Sequence, residues 1–268
     1  MEALLVFCHL KVDPNNVYSP ERDSVVKVEN CLDIVVDIVL FYIKTYKEKM
    51  GTKYNPSVVR NGLLVYVDAA NPRSYPGTGN TWYDLSGKNN HMTLVNGVGF
   101  STASGGVLQT DGTNDYISLY PFDLTTTNHT IMGASRYSGA IRGRIFASRG
   151  GNWLLGHWTN YVRNYYANGN IRLAPDFGVP SDAGNTNWYI STAVENYSSD
   201  IWTMYSNGEQ VITSTNGTTG PDGFAIGAWQ GNTEFSTAEV SFFMVYDRLL
   251  TAQEISQNYN SLKKRFSL

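Results

Sequence analysis

An apolar run near the end of the chain, residues 238–248, most constrains how this sequence can fold. The run is nearly continuous and rich in Val, Phe and Tyr, a pattern typical of a β-strand that is buried on both faces. Such a strand needs a large sheet around it. The preceding residues must therefore supply that sheet.

A short amphipathic helix is predicted directly after this strand, over residues 251–265. Thr251 can accept a hydrogen bond from the free N–H groups of the first turn, and Glu254 can reach back to the Thr251 amide. Apolar side chains recur on one helical face at spacings of four, three and four. These are Ile255, Tyr259, Leu262 and Phe266.

Short β-strands separated by Gly, Asn, Ser and Thr dominate the chain from residue 61 onward. The predicted strands are residues 63–68, 92–95, 107–110, 116–119, 129–135, 144–148, 153–156, 170–173, 188–195, 202–206, 210–213 and 224–228. Asn207 and Gly208 form the strongest hairpin signal, because both tolerate the positive φ of a type I′ turn. Strands with no interleaved helices indicate an all-β antiparallel sandwich.

The first 60 residues differ from the rest and are predicted to be an N-terminal helical extension with a linker. Residues 25–50 carry a broad apolar side formed by Leu32, Val35, Val36, Val39 and Ile43. Such a helix must bury that surface. Asp33 and Asp37 disfavour a membrane span, because a carboxylate at bilayer depth is costly. We expect the helix to dock on the sandwich or on another subunit.

The charge of the chain argues against nucleic-acid binding. Its net charge is −3, and phosphate recognition needs a clustered basic surface. No stretch approaches the roughly 20 apolar residues of a membrane span. Both cysteines, Cys8 and Cys31, lie before the predicted sandwich, which fits a reducing compartment.

Several segments resemble the concanavalin A-like lectin/glucanase domains of the LamG-like jelly-roll type. The matching segments are residues 62–72, 81–90, 110–117 and 245–255. The resemblance implies a jelly-roll sandwich over residues 61–268, with a short C-terminal helix. It does not by itself specify a function, because one fold hosts many.

The middle of the chain, residues 153–158 and 164–166, is similar to versions of this family in structural proteins of marine tailed phages. This resemblance implies a non-enzymatic virion protein, associated with the capsid, tail or fibre and assembled in the host cytoplasm. Its partners would be other virion proteins or copies of itself, held through the N-terminal helix. It would also be able to contact glycans on the host surface.

Relatives of this type often hold a calcium ion through oxygen ligands in loops at the sandwich edge. The resemblance therefore implies calcium as a cofactor. The candidate ligands within the matching segments are Asp84, Asn90, Asp111 and Asp247, with Asn89 and Asp115 beside them. The alternative is that Asp84 and Asp111 make local turn bonds and that Asp247 pairs with Arg248 or a backbone amide.

A dense group of aromatic and polar side chains between residues 153 and 166 predicts a carbohydrate site. Aromatic rings stack on the C–H faces of sugars, and amide and guanidinium groups bond hydroxyls. The candidates are Trp158, Tyr161, Arg163, Asn164 and Tyr165, of which Trp158 and Tyr165 are expected to be exposed. The alternative is that these rings fill the core, as we expect for Trp153, Trp188, Trp202 and Trp229.

No catalytic residue is predicted. Glucanases of this fold carry paired glutamates spaced Glu-x-Asp-x-x-Glu, and this spacing does not occur here. Glu234 and Glu239 are the only remaining pair. Three functions thus remain open: a virion structural protein, a free lectin module, and a glycoside hydrolase.

Overall fold

The computed structural model describes residues 57–174 and 183–268. The predicted helix of residues 25–50 lies outside the described residues, as does all of the predicted extension except residues 57–60. Among the described residues no helix has the length and apolar character needed to cross a membrane.

The described residues form two antiparallel eight-stranded sheets, in agreement with the predicted all-β sandwich. The strands are β1 Leu63–Asp68, β2 Thr81–Trp82, β3 Met92–Val95, β4 Gly99–Ser101, β5 Val107–Asp111, β6 Tyr116–Asp123, β7 His129–Arg142, β8 Phe146–Ser148, β9 Trp153–Trp158, β10 Tyr161–Ala167, β11 Asn170–Arg172, β12 Tyr189–Asn196, β13 Ile201–Ser206, β14 Glu209–Ser214, β15 Asp222–Ile226 and β16 Ser236–Tyr246. Sheet A has the order β14-β13-β12-β7-β16-β5-β4, with β1 also paired to β16. Sheet B has the order β11-β10-β9-β8-β15-β6-β3-β2.

Strand β16, which contains most of the apolar run, lies inside sheet A. It pairs with β7 on one edge and with β5 and β1 on the other. Phe243 and Val245 belong to the core between the sheets, whereas Phe242 and Met244 belong to the cluster on the opposite face. The prediction that this strand is buried on both faces is therefore confirmed.

Helix α1, Ala252–Leu262, covers the outer face of sheet A and continues as a 3-10 turn, Lys263–Phe266. Its predicted cap is confirmed. Glu254 N donates to Thr251 Oγ1 over 3.3 Å, and Thr251 N donates to Glu254 Oε2 over 2.9 Å. Two hydrogen bonds from Arg248 to Glu254, with those from Thr251, lower the pKa of Glu254 to about 2. The end of the last strand is thus joined to the start of the helix.

Glu195 of β12 ties the two sheets together inside the sandwich. It is fully buried, and its Oε1 accepts hydrogen bonds from Trp153 Nε1 and Tyr165 Oη of sheet B. Its Oε2 lies 2.9 Å from Nε2 of His129, the residue opposite it on β7. The Nδ1 atom of His129 lies 2.8 Å from the carbonyl oxygen of Thr127, which can only accept. Both imidazole nitrogens therefore lie close to oxygen atoms, and the His129 ring packs against the carboxylate that joins the sheets.

Candidate functional site

The β9–β10 hairpin places two aromatic side chains next to each other at the end of sheet B. Trp158 ends β9, and Tyr161, directly opposite, begins β10. The two turn residues, Thr159 and Asn160, have φ values of 45° and 72°, as a type I′ turn requires. Directly paired residues project from the same face of a sheet. Trp158 and Tyr161, both partly exposed, form a surface that we call the hairpin platform.

A single carboxylate oxygen fixes the Trp158 ring. Glu234 Oε2 accepts hydrogen bonds from Trp158 Nε1 over 2.8 Å and from Arg144 Nε over 2.7 Å. The Glu234 side chain is 29% exposed, whereas that of Arg144 is 5% exposed. Within residues 57–174 and 183–268, no hydrogen bond reaches the other oxygen, Oε1. It is therefore an acceptor available to a ligand hydroxyl beside the indole.

Arg144 is held between two indole rings and does not act as a free cation. Its guanidinium carbon lies 4.3 Å from the ring centroid of Trp229 and 5.7 Å from that of Trp158. Its Nη1 donates to Asn152 Oδ1 over 2.8 Å. Burial lowers the pKa of this guanidinium, and the charge of Glu234 opposes that effect. Arg144 thus orients Glu234 and Trp158 rather than contacting solvent.

Backbone contacts with Gly143 hold Glu234 in position. The Gly143 amide donates to the carbonyl of Phe235 over 3.1 Å, and the Arg144 amide donates to that of Glu234 over 3.0 Å. A Cβ at residue 143 would lie 2.0 Å from the Glu234 carbonyl oxygen, so only glycine allows this approach. Glu234 itself has a φ of 48°. The loop before β16 is therefore clamped against the start of β8.

Two of the five predicted sugar-binding residues lie in the interior. Asn164 and Tyr165 are fully buried, whereas Trp158, Tyr161 and Arg163 are partly exposed. The β9–β10 register shifts between Tyr161 and Asn164, and Arg163 has a φ of 59° at this bulge. A bulge disturbs the alternation of side chains along a strand.

The burial of Asn164 and Tyr165 gives them structural roles. Asn164 Oδ1 accepts from the Ala174 amide over 2.7 Å, and Asn164 Nδ2 donates to the Trp158 carbonyl over 3.3 Å. The Tyr165 hydroxyl donates to Glu195. Burial, and to a smaller extent the charge of Glu195, raise the pKa of Tyr165 well above its ordinary value. The expectation that Tyr165 is exposed is therefore wrong.

Sequence reasoning missed Arg144, Glu234 and Trp229 as parts of this site. Trp229 was expected in the core but is partly exposed, and its Nε1 donates to the Gly151 carbonyl over 3.1 Å. Arg144 and Glu234 are 90 residues apart in the chain. A contact between residues so far apart in the sequence cannot be predicted from the spacing of residues within a motif.

The Asp84 loop does not offer a calcium ion a ready ligand set. Asp84 accepts four hydrogen bonds, from the amides of Tyr66, Ser86 and Asn90 and from the Ser86 hydroxyl. A carboxylate has about four acceptor positions, so this one is already saturated. The side chain of Asn90 donates to the Leu64 carbonyl. The alternative expectation of local turn bonds holds for Asp84.

The other predicted metal ligands also lie in separate places. Asp111 accepts from the Thr113 amide, the largest cause of its lowered pKa. Burial and the charge of Asp111 raise the pKa of Asp115. Asp247 is exposed at the end of β16. The described residues contain no cluster of three or more His, Cys, Asp or Glu suited to a metal ion, so calcium binding stays a prediction.

The two glutamates considered as a catalytic pair bond different partners. Glu234 bonds Arg144 and Trp158 beside sheet B. Glu239 of β16 bonds Arg136 and Gln109 across sheet A. Each carboxylate thus has its own arginine.

A family model described as the concanavalin A-like lectin/glucanases superfamily matches residues 111–256 of this 268-residue chain. The match covers more than half of the chain. No curated protein sequence matches it significantly.

Solved structures with the same fold include two toxin domains and a domain of a sugar-degrading enzyme. The binding domain of Paraclostridial Mosquitocidal Protein 1 has a TM-score of 0.55 at 14% identity, over 75% of this chain and 52% of that chain. The botulinum neurotoxin serotype D ligand binding domain in complex with N-acetylneuraminic acid has a TM-score of 0.54 at 14% identity, over 75% and 51%. Domain 4 of AbnA, a GH43 extracellular arabinanase from Geobacillus stearothermophilus in complex with arabinotriose, has a TM-score of 0.51 at 14% identity, over 74% and 98%.

The chain spans about half the length of the two toxin domains, but nearly all of the arabinanase domain. At this level of identity the likeness shows the fold alone. It agrees with the predicted concanavalin A-like jelly roll.

Proposed function

The chain belongs to the concanavalin A-like lectin/glucanase superfamily, and from that premise we propose that it is a non-enzymatic carbohydrate-binding module. The observation that carries the proposal is the free Oε1 of Glu234 beside the partly exposed rings of Trp158 and Tyr161. An aromatic surface with a few fixed polar groups is the usual composition of a sugar site.

The charges at this site favour a neutral sugar. Arg144 is enclosed by two indoles and cannot reach a ligand carboxylate. Glu234, by contrast, has a partly exposed side chain, and its Oε1 accepts no hydrogen bond from another described residue. That oxygen can accept from a sugar hydroxyl and repels an anion. We therefore assign neutral glycans to the hairpin platform.

The isolation of Glu234 supports binding without cleavage. Glycoside hydrolysis ordinarily needs two carboxyl groups on either side of the scissile bond, about 5–10 Å apart. Glu234 is paired with Arg144, and Glu239, the other glutamate of the pair considered from the sequence, bonds Arg136 within sheet A. A glycoside hydrolase remains the alternative. A free lectin module would bind glycans in the same way but would not be part of a virion.

Trp158→Ala is expected to weaken binding of the best ligand on a glycan array at least tenfold, about 1.4 kcal/mol, because stacking on the indole is lost. Isothermal titration of the full chain measures the change. Tyr197→Ala is the matched control, since Tyr197 is 39% exposed and lies outside the site. Trp158→Phe, which keeps a ring, should retain part of the affinity.

The proposal is contradicted if Trp158→Ala binds as tightly as the unmodified protein. Thermal unfolding of both variants checks that the fold persists, so that a loss of binding is not a loss of structure.

We further propose that the module is part of a tailed-phage virion, assembled in the host cytoplasm and joined to other virion proteins or to copies of itself. Two sequence features support this setting: the resemblance of residues 153–158 and 164–166 to phage structural proteins, and the apolar side predicted for residues 25–50. The second feature lies outside the hairpin platform, so assembly and glycan binding can be tested separately.

If the apolar side predicted for the N-terminal helix is buried against another subunit, as the assembly proposal requires, light scattering on the full chain is expected to show an oligomer. Val36→Asp should shift the population towards monomer, whereas Lys44→Gln, outside the predicted apolar side, should not. A full chain that is monomeric at micromolar concentration would argue against assembly through this segment.

A further inference from the structure

A cleft lies at the outer face of sheet A, apart from the hairpin platform, since the two share no lining residue. Its volume is about 490 Å³, within the range of small-ligand sites. β7, the start of β12, the β13–β14 turn and the C-terminal residues surround it. Its principal lining residues are Arg136, Asn187, Trp188, Tyr189, Asn207 and Phe266.

One wall of this cleft is a stack of three flat groups. The rings of Phe266 and Trp188 have centroids 4.6 Å apart, and the Arg136 guanidinium carbon lies 5.3 Å from the Trp188 ring centroid. Arg136 Nε donates to Glu239 Oε2 over 2.8 Å, which fixes the guanidinium on the stack. Trp188 is buried as expected, so the cation is the reachable part of this wall.

Arg136 retains unused donors that face a ligand. Its side chain is 34% exposed, whereas that of its partner Glu239 is 8% exposed. In the described part of the chain, only Nε of this guanidinium has an acceptor, so Nη1 and Nη2 remain free to donate. A planar guanidinium binds carboxylates through two parallel hydrogen bonds. Among the described lining residues, Arg136 is the one charged side chain.

Neutral donors lie near this cation. Asn207 Oδ1 accepts a hydrogen bond from the Ile190 amide over 2.9 Å. The NH₂ group of Asn207 takes no part in that bond. Asn187 is exposed, and its side chain bonds no other described residue. Amide groups of this kind suit the hydroxyls and acetamido groups of a sugar.

We propose that this cleft is a second binding site, which takes a carboxylate-bearing sugar residue with its carboxylate on Arg136 and its hydroxyls near the amides of Asn187 and Asn207. The two faces of the sandwich then differ in ligand chemistry. The hairpin platform takes neutral glycans, and the cleft takes acidic ones.

Titration of the full chain with D-glucuronate tests the proposal, with D-glucose as the neutral match and acetate as a carboxylate without a ring. Glucuronate should bind at least tenfold more tightly than either control. Arg136→Gln should weaken glucuronate binding about tenfold or more, because charge-assisted hydrogen bonds are lost. Arg149→Gln should leave it unchanged, since Arg149 stacks over Tyr116 of sheet B.

A second variant separates binding from folding, because Arg136→Gln also removes a partner of Glu239. Asn187→Ala removes a side chain without described contacts, so it should weaken glucuronate binding and leave the melting temperature unchanged. Trp158→Ala should leave glucuronate binding intact, which distinguishes this site from the hairpin platform.

Three results would overturn the inference. Glucose or acetate could bind as tightly as glucuronate, both cleft variants could bind glucuronate normally, or binding could be lost in Trp158→Ala but kept in Arg136→Gln.

Discussion

Glu195→Ala is expected to lower the free energy of unfolding by about 4 kcal/mol, a large share of the roughly 5–15 kcal/mol that stabilises a typical domain. The substitution leaves two buried donors without their acceptor, the Trp153 indole N–H and the Tyr165 hydroxyl, and removes the carboxylate oxygen 2.9 Å from His129 Nε2. It also removes a bond between the two sheets. Denaturant titration at pH 7 measures the change.

Glu209→Ala is the matched control, because Glu209 is exposed beside the Asn207–Gly208 turn and should change stability by no more than about 0.5 kcal/mol. His129→Ala combined with Glu195→Ala should cost less than the sum of the single changes, since the two side chains share one interaction. A loss below about 1 kcal/mol for Glu195→Ala would show that the buried network does not hold the sheets together.

Lowering the pH below about 6.5 is expected to destabilise the protein through His157. This residue is fully buried, and burial lowers its pKa from 6.5 to about 3. Between these two values the unfolded chain binds a proton that the folded protein does not. The His157 contribution is therefore complete above pH 6.5 and is lost progressively towards pH 3, at up to about 1.4 kcal/mol for each pH unit.

The comparison that isolates this effect uses His157→Gln, which cannot titrate. Its free energy of unfolding should decline less steeply than that of the unmodified protein between pH 6 and pH 4. Equal slopes for the unmodified protein and His157→Gln would contradict the assignment.

Much of the sandwich could be predicted because its strands follow simple patterns. The predicted bounds of 63–68 and 92–95 match β1 and β3, and the Asn207–Gly208 turn has φ values of 52° and 80° as expected. Strands β2 and β4 have only two and three residues, too few to show a period.

Strand β10 was not predicted because its pattern is broken. It mixes aromatic with polar side chains, and the bulge at Arg163 interrupts the alternation that would otherwise mark a strand. The same bulge explains why Tyr165 was expected at the surface. A glycine within a strand often indicates a bulge, but the residue at this bulge is Arg163, so the sequence does not predict it.

Only the residues of the candidate site that lie close together in the sequence could be predicted. Trp158 and Tyr161 lie three residues apart, and their aromatic character pointed to a sugar surface. Glu234 reaches Trp158 across 76 residues of sequence, and it does so only because the loop before β16 lies beside β8 and β9. Contacts of this kind depend on topology, which spacing alone does not give.

The most direct test of the account is a crystal structure of the protein with its tightest-binding glycan. We predict an intact neutral sugar stacked on the ring of Trp158, with a hydroxyl donating to Oε1 of Glu234. A cleaved glycan in the complex, or a neutral sugar bound elsewhere with the hairpin platform empty, would contradict it.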